Sequence, residues 1–191
     1  MKSLNIFLFL LLIIVNGCSS SSEEHLVFND VPINGNPAQF ANELAKSGFI
    51  KSQVTEENQI KLNGVFLEQN CEIYVYGTKK SQLAYKVRVN LPAEVRDTLQ
   101  LSFEKLQKLY TSKYGMGKTR YQQYRNPERL LFNEPRLKRQ IKKGDITRFT
   151  TDSGHITIEV RDGYISITYL DKINNEVRKR EIEEENNKEI Q

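Results

Sequence analysis

The stretch Leu83-Ala-Tyr-Lys-Val-Arg-Val-Asn-Leu91 has the clearest periodic pattern in the chain. Every second residue is a large apolar one, and these are Leu83, Tyr85, Val87, Val89 and Leu91. The residues between them are Ala84, Lys86, Arg88 and Asn90. Because successive side chains of a β-strand point to opposite faces, this alternation predicts a strand with one buried and one wetted face. Such strands are typical of antiparallel sheets that are covered on one side only.

Six further segments have β-strand character, and they span residues 49–55, 59–67, 71–76, 146–151, 155–161 and 164–170. In the third of them, Cys71, Ile73 and Val75 share one face. Asp162-Gly163 separates the last two segments and predicts a two-residue hairpin with a type I′ turn.

Two helices are predicted between these strands. Asn36 can cap the first helix, Pro37 suits its first position, and Gly48 ends it. The second spans 97–114, with apolar residues at helical spacing: Leu99, Phe103, Leu106, Tyr110 and Tyr114. The pattern predicts an α+β fold, in which an antiparallel sheet carries two main helices packed on one face. The order helix, strands, helix, strands also suggests two halves, each a helix followed by a β-meander.

The N-terminus predicts export. Residues 6–15 form an unbroken apolar run of ten residues, whereas a membrane-spanning helix needs about 20. This run follows Lys2 and is typical of the central region of a signal peptide. The next residues, Val15-Asn16-Gly17-Cys18, resemble the lipobox of bacterial lipoproteins. The resemblance implies cleavage before Cys18, a diacylglycerol thioether on its thiol and an N-acyl chain such as palmitate, which together anchor the protein in a membrane.

The length of 191 residues suits one domain. We expect a lipoprotein signal peptide over 1–17, a polar tether over 18–27, a single α+β domain over 28–174 and a charged tail over 175–191. Ser19 after the cysteine favours the outer membrane, by resemblance to the known sorting rule. Glu23 and Glu24 resemble the surface-export signal of Bacteroidota lipoproteins. We therefore expect the cell envelope, at the outer membrane, on a side that the sequence leaves open.

A second resemblance extends along the predicted domain. FNDVPING at 28–35, LNGVF at 62–66, KYG at 113–115 and YLDKIN at 169–174 together resemble a family of uncharacterised Bacteroidota lipoproteins. These motifs consist of turn and core residues. The resemblance therefore bears on the fold and implies no activity.

Catalytic signatures are weak in this sequence. Gly115-Met-Gly-Lys-Thr119 lacks the first glycine of a phosphate-binding loop and follows a helix, where such a loop follows a strand. Cys71 as a nucleophile would need His155 as its base, and its apolar neighbours favour a buried thiol instead. Neither His25 nor His155 has a partner at metal-ligand spacing, so we predict no metal site and no cofactor.

Residues 118–143 are strongly basic, with nine Lys or Arg against two Glu. Tyr121, Tyr124 and Phe132 are interleaved with these charges. Arginine offers planar donors to carboxylates and phosphates, and tyrosine offers a stacking face. The candidate anion-binding residues are Arg120, Arg125, Arg129, Arg136, Lys138, Arg139, Lys142 and Lys143. The alternative is a solvated basic loop whose charge the acidic tail balances.

The wetted face of the predicted sheet carries Tyr74, Tyr76, Lys86 and Arg88. Such a surface suits recognition of a protein or a glycan. The alternatives are an ordinary exposed sheet face or a face covered by the tail.

Three functions are compatible with these patterns. The preferred one is an acyl-anchored envelope lipoprotein whose domain is a non-catalytic binding module, with a protein or glycan of the envelope as partner. The second is a binder of anionic polymers through 118–143, such as lipopolysaccharide or acidic glycan, with nucleic acid not favoured. The third is a surface hydrolase that uses Cys71 or a pair of carboxylates. The sequence leaves the oligomeric state open.

Overall fold

The computed structural model describes residues 24–56, 58–92, 96–120 and 144–189. Over these residues the chain forms ten strands and three helices. In chain order they are β1 Val27–Phe28, β2 Val31–Pro32, α1 Pro37–Lys46, β3 Ile50–Glu56, β4 Gln59–Phe66, β5 Gln69–Gly77, β6 Ala84–Pro92, α2 Arg96–Tyr114, β7 Lys118–Arg120, β8 Ile146–Thr151, β9 Gly154–Arg161, β10 Tyr164–Asp171 and α3 Lys172–Glu189.

The predicted α+β class is confirmed. Eight strands form one antiparallel sheet in the order β3-β4-β5-β6-β10-β9-β8-β7, and β1 and β2 form a separate hairpin. A helix followed by four strands occurs twice in this order, so the chain has the two α-plus-meander halves that the sequence suggested. The halves join where β6 pairs with β10. Helix α1 packs on the first half, against β4 and β5, and α2 packs on the second, against β8 and β9.

The hydrophobic core lies between the sheet and the helices α1 and α2. Strand β6 contributes Val87, Val89 and Leu91 to this core, as its alternation predicted. The β1–β2 hairpin also contributes, because the Phe28 ring lies 5.3 Å from the Phe66 ring and 5.0 Å from the Tyr169 ring. One face of the sheet is therefore apolar and covered, which leaves the polar residues of β5 and β6 on the opposite, open face.

The start of β6 differs from the prediction. Leu83 precedes the strand and is only half-buried, whereas Ala84 is completely buried. The cause is a register shift at the end of β5, where Tyr76 pairs with Lys86 but Gly77 pairs with Ala84. Tyr85 is the extra residue at this shift: it has no partner on β5, lies outside the hydrophobic core and contacts Lys86 and Arg178. The predicted alternation therefore holds only from Lys86 onward, because an irregularity in pairing changes the face on which a side chain lies.

The turns also differ in detail. Asp162-Gly163 does connect β9 and β10, but only Gly163 has a positive φ, so the turn is not type I′. Positive φ at both central residues, which type I′ requires, occurs instead at Asn29-Asp30 and at Leu67-Glu68.

The residues assigned to the tail belong largely to α3, which starts directly after β10 and runs to Glu189. Asp171 caps this helix by accepting a hydrogen bond from the Asn174 N–H at 2.8 Å. The Asn174 amide donates to the carbonyl oxygens of Ile33 and Ala84. Glu181 accepts from the backbone N–H groups of Lys80 and Ser81, which ties the helix to the β5–β6 loop. The expected boundary at 174/175 thus falls within a packed helix.

The expected tether likewise ends earlier than residue 27. Leu26 is buried, and its N–H donates to the Asp171 carboxylate at 2.8 Å. The His25 ring nitrogen lies 3.2 Å from the same carboxylate. Residues 25–27 therefore pack as part of the domain.

Gly154 allows a test of how closely β9 approaches β10. A Cβ at this position would lie 2.1 Å from the Leu170 carbonyl oxygen, which is backbone and cannot move aside. We expect Gly154→Ala to lower the free energy of unfolding by about 2–4 kcal/mol, because β9 and β10 must separate locally to admit the methyl group. The measurement is chemical denaturation followed by circular dichroism.

Gly163→Ala is the matched control, because its Cβ meets nothing within 4 Å and only its positive φ is strained. A loss of about 1 kcal/mol is expected there. Equal losses for the two variants would contradict the close approach of Gly154 to β10.

Candidate functional site

The open face of the sheet carries a group of cations and tyrosines at the pairing of β5 with β6. Tyr74 lies opposite Arg88 and Tyr76 lies opposite Lys86. The Lys86 Nζ lies 3.6 Å from the centre of the Tyr76 ring. The Arg88 Cζ lies 4.8 Å from the Tyr74 ring and 5.4 Å from the Tyr76 ring. These distances are typical of cation–π contacts.

Helix α3 adds a third cation. The Arg178 Cζ lies 5.1 Å from the centre of the Tyr85 ring, and the Lys86 Nζ lies 5.6 Å from the same ring. The position of Arg178 depends on the hydrogen bonds of Asn174 and Glu181, which hold α3 beside the start of β6. We call the side chains Tyr74, Tyr76, Lys86, Arg88 and Arg178 the cation–tyrosine cluster.

The cations of the cluster have no acidic partner among the described residues. Within that part of the chain, Lys86, Arg88 and Arg178 make no ion pair, and their side chains make no hydrogen bond to a protein acceptor. The Nε of Arg88 and the Oδ1 of neighbouring Asn90 are buried without a described partner. Cations around the cluster do have carboxylate partners at 2.5–3.1 Å, in the pairs Lys61–Glu72, Lys79–Glu185 and Lys80–Glu184.

Glu72 is a carboxylate that contacts the edge of the cluster. It accepts a hydrogen bond from the Tyr74 O–H at 2.9 Å and one from the Lys61 Nζ at 2.5 Å. The hydrogen bond from Lys61 lowers the pKa of this carboxyl and stabilises its charged form. The negative charge of Glu72 is therefore already paired, and with a cation outside the cluster.

The excess of positive charge in the cluster changes the pKa of Lys86. Burial, together with the positive charges of Arg88 and Arg178, lowers the pKa of Lys86 from 10.5 to about 8. Lys86 is therefore half-buried beside two like charges, and both conditions disfavour its charged form.

This arrangement suits the binding of an anion. Two guanidinium groups and an ammonium group offer many hydrogen-bond donors to phosphate, sulfate or carboxylate oxygens. An anion at the cluster would supply the missing negative charge and offset the repulsion among the three cations. The tyrosine rings hold Lys86 and Arg88 in place, which reduces the conformational entropy lost on binding.

The sequence identified four of the five members of the cluster, since Tyr74 and Tyr76 alternate on one predicted strand, Lys86 and Arg88 on another, and all four were predicted on the wetted face of the sheet. It does not identify Arg178, because the segment 175–191 lacks a strong apolar stripe and is typical of a charged tail. A usable signal was Asp171 before Asn174, which is the spacing of an N-cap and its N3 residue.

The other predicted site residues are mostly outside the described residues. Arg120 is described, and it is exposed at the end of β7, an edge strand of the sheet. Those that lie outside are Cys18, Arg125, Arg129, Arg136, Lys138, Arg139, Lys142 and Lys143. Anion binding through 118–143 and lipidation of Cys18 stay predictions.

Cys71 is buried at the wall of a cavity of about 700 Å³, beside Gly64 and Glu72. Burial raises the pKa of its thiol to about 11, so the reactive thiolate is scarce at neutral pH. His155 lies on β9, which β6 and β10 separate from β5. Three strand spacings amount to about 14 Å, so the Cys71–His155 pair does not form.

No group of three metal-ligating side chains occurs in the ranges that the structure describes. None of the described helices is long and apolar enough to cross a membrane.

No family model matches the chain, and it has no match among curated proteins or solved structures. Inference about function therefore rests on the geometry of the cation–tyrosine cluster and on the sequence.

The destabilising effect of the charge on Lys86 can be tested by removing that charge. We expect Lys86→Met to raise the melting temperature at neutral pH, because the folded state no longer holds a half-buried cation beside Arg88 and Arg178. In the wild type, folded Lys86 loses its proton near pH 8, whereas the unfolded chain keeps it to about pH 10.5. Wild-type stability therefore rises through that window, and the advantage of the variant shrinks.

The measurement is thermal unfolding of both proteins from about pH 7 to about pH 10. Lys46→Met is the matched control, because Lys46 is exposed and paired with Glu43 on α1. It should show neither the gain nor the pH dependence. A lower melting temperature for Lys86→Met at neutral pH would mean that Lys86 is a stabilising residue and would contradict our interpretation.

Proposed function

We propose that the protein is an acyl-anchored lipoprotein of the cell envelope, whose α+β domain is a non-catalytic module that binds an anionic group at the cation–tyrosine cluster. One observation carries the binding role: three cations, Lys86, Arg88 and Arg178, converge on the open face without a described counter-charge. Proteins rarely keep half-buried cations together unless something pairs with them.

Binding is favoured over hydrolysis by the chemistry of Cys71. A cysteine nucleophile needs a lowered pKa and an adjacent base. Cys71 has a raised pKa and lies several strands away from His155. The cluster itself consists of cations and tyrosines, which suits holding an anion more than transferring a proton.

The anchor is proposed from the sequence. The apolar run over 6–15 and the lipobox-like segment ending at Cys18 support export and lipidation. Residues 19–23 would then supply a short polar link to the folded part, which begins near His25. The domain would consequently lie close to the membrane surface, at the outer membrane under our proposal.

Cys18→Ala tests the anchor. We expect the full chain to move from the membrane fraction to the soluble fraction in a bacterial host that processes lipoproteins, because only a thiol accepts the diacylglycerol group. Immunoblots of the two fractions measure this, together with the loss of acyl-chain mass from the N-terminal peptide. Cys71→Ala is the control, and it should leave the protein in the membrane fraction. A variant at Cys18 that stays membrane-bound would contradict lipidation.

The anion site is tested with inorganic phosphate and sulfate on a chain that begins at Ser19, which keeps every described residue. We expect either anion to raise the melting temperature, because a ligand that binds only the folded state stabilises it. The combined variant Lys86→Gln, Arg88→Gln, Arg178→Gln should bind at least about tenfold more weakly, equal to about 1.4 kcal/mol.

A second variant separates this site from the basic segment. In it, Arg136, Lys138, Arg139, Lys142 and Lys143 are changed to alanine. If this variant loses anion binding and the cluster variant keeps it, the site lies in 118–143, as the second sequence hypothesis states. If the cluster variant alone loses binding, the site is the cation–tyrosine cluster.

A further inference from the structure

The cation–tyrosine cluster lies at the end of the sheet where the chain enters the domain. Leu26 donates to Asp171, the last residue of β10. Lys86 pairs with Leu170, the residue just before Asp171. The first described residues and Lys86 are thus at the same end of the two central strands, and α3 starts there with Arg178 on its second turn.

The chain between this end and Cys18 is short. Six residue steps separate Cys18 from Glu24, and a fully extended chain spans about 3.5 Å per residue. Under the proposed function Cys18 sits at the lipid surface. Glu24 then lies within about 20 Å of the headgroups, which brings the end of the sheet that carries Lys86 close to them as well.

Charges around this end leave the cluster available to an anion. Glu176, Glu184 and Glu185 of α3 are paired with Lys179, Lys80 and Lys79. Glu181, one turn after Arg178, accepts hydrogen bonds from the backbone N–H groups of Lys80 and Ser81 instead. Lys86, Arg88 and Arg178 remain as cations without a described acidic partner, with Tyr74, Tyr76 and Tyr85 as the aromatic groups beside them. Tyrosine rings and long cationic side chains are the groups that proteins place at the headgroup level of a bilayer.

We propose that the cation–tyrosine cluster binds the phosphate of anionic phospholipid headgroups, and so docks the domain onto the membrane that carries its anchor. This inference rests on the proposed function for the anchor and for the anion site, and it names the source of the anion. Docking through Lys86, Arg88 and Arg178 turns the open face of the sheet toward the bilayer near β6. The helices α1 and α2, on the opposite face, then point away from it.

The test uses the chain that begins at Ser19, so that vesicle binding cannot come from the acyl anchor. Its sedimentation is measured with vesicles of phosphatidylcholine alone and with vesicles that contain about 30% phosphatidylglycerol. The cluster variant carries Lys86→Gln, Arg88→Gln and Arg178→Gln. The charge-matched control carries Lys105→Gln, Lys108→Gln and Lys113→Gln on α2, which removes the same net charge from the other face.

We expect the unmodified chain to bind the phosphatidylglycerol vesicles at least about tenfold more tightly than the neutral ones. The cluster variant should lose about tenfold or more of that affinity, and the control on α2 should change by less than about threefold. Circular dichroism and thermal melts establish that each variant folds. Arg178→Gln alone, on the surface of α3, serves as the second variant if the triple variant fails to fold, and a loss of about threefold is expected for it.

Three results would overturn the proposal. Equal losses for the cluster variant and the α2 control would mean that binding follows net charge only. Inorganic phosphate binding that depends on the cluster, without any preference for phosphatidylglycerol vesicles, would contradict the lipid proposal and leave the proposed anion site intact. If neither phosphate nor vesicles bind, both the anion site and the lipid proposal fail, and the Cys18→Ala result still decides the anchor separately.

Discussion

The pairing of β6 with β10 is the interaction on which the rest of this structure depends. It joins two four-stranded meanders into one sheet, and its register assigns every neighbouring side chain to a face. Val87 lies opposite Tyr169 on the covered face, and Lys86 lies opposite Leu170 on the open one. A slip of one residue would exchange the two faces, bury Lys86 and Arg88 and expose the valines. The hydrophobic core therefore enforces the position of the cations, although it does not touch them.

Asp171 extends this control from the sheet to its surroundings. Its buried carboxylate accepts hydrogen bonds from the N–H groups of Leu26 and Asn174, so that one side chain both caps α3 and holds the entering chain. Such charge-assisted hydrogen bonds are stronger than neutral ones, and a buried carboxylate requires them. The start of α3 is thereby fixed relative to β6, which brings Arg178 beside Tyr85. The N-cap of α3 thus helps to place Arg178 in the cluster, although Arg178 is far in sequence from the other members.

The cation–tyrosine cluster differs from the ion-paired lysines around it, because its cations have no acidic partner among the described residues. Lys61 shares the open face and has Glu72 as a partner, which raises the pKa of Lys61 through the hydrogen bond between them. Lys86, two strands across, has cations and tyrosine rings as its described neighbours, and its pKa is lowered. Binding sites often contain a residue that lowers the stability of the fold where an ion-paired or apolar residue would not. Cys71 shows the opposite case, since its pKa is raised mainly by burial, which makes it less reactive.

By itself, the sequence determined seven of the ten described strands, the two main helices and the inward face of β6 from Val87 onward, because period-two and helical spacing follow from local backbone geometry. It also placed Tyr74, Tyr76, Lys86 and Arg88 on one face. Tertiary structure alone decided that β6 pairs with β10, that α3 packs beside β6 and that Arg178 lies next to Tyr85. These depend on contacts between residues about 80 or more positions apart, such as Val89 with Ile167 and Asn174 with Ala84. No local pattern encodes which distant segments meet, because that choice is made by the burial of the whole core and by buried polar groups that must find partners.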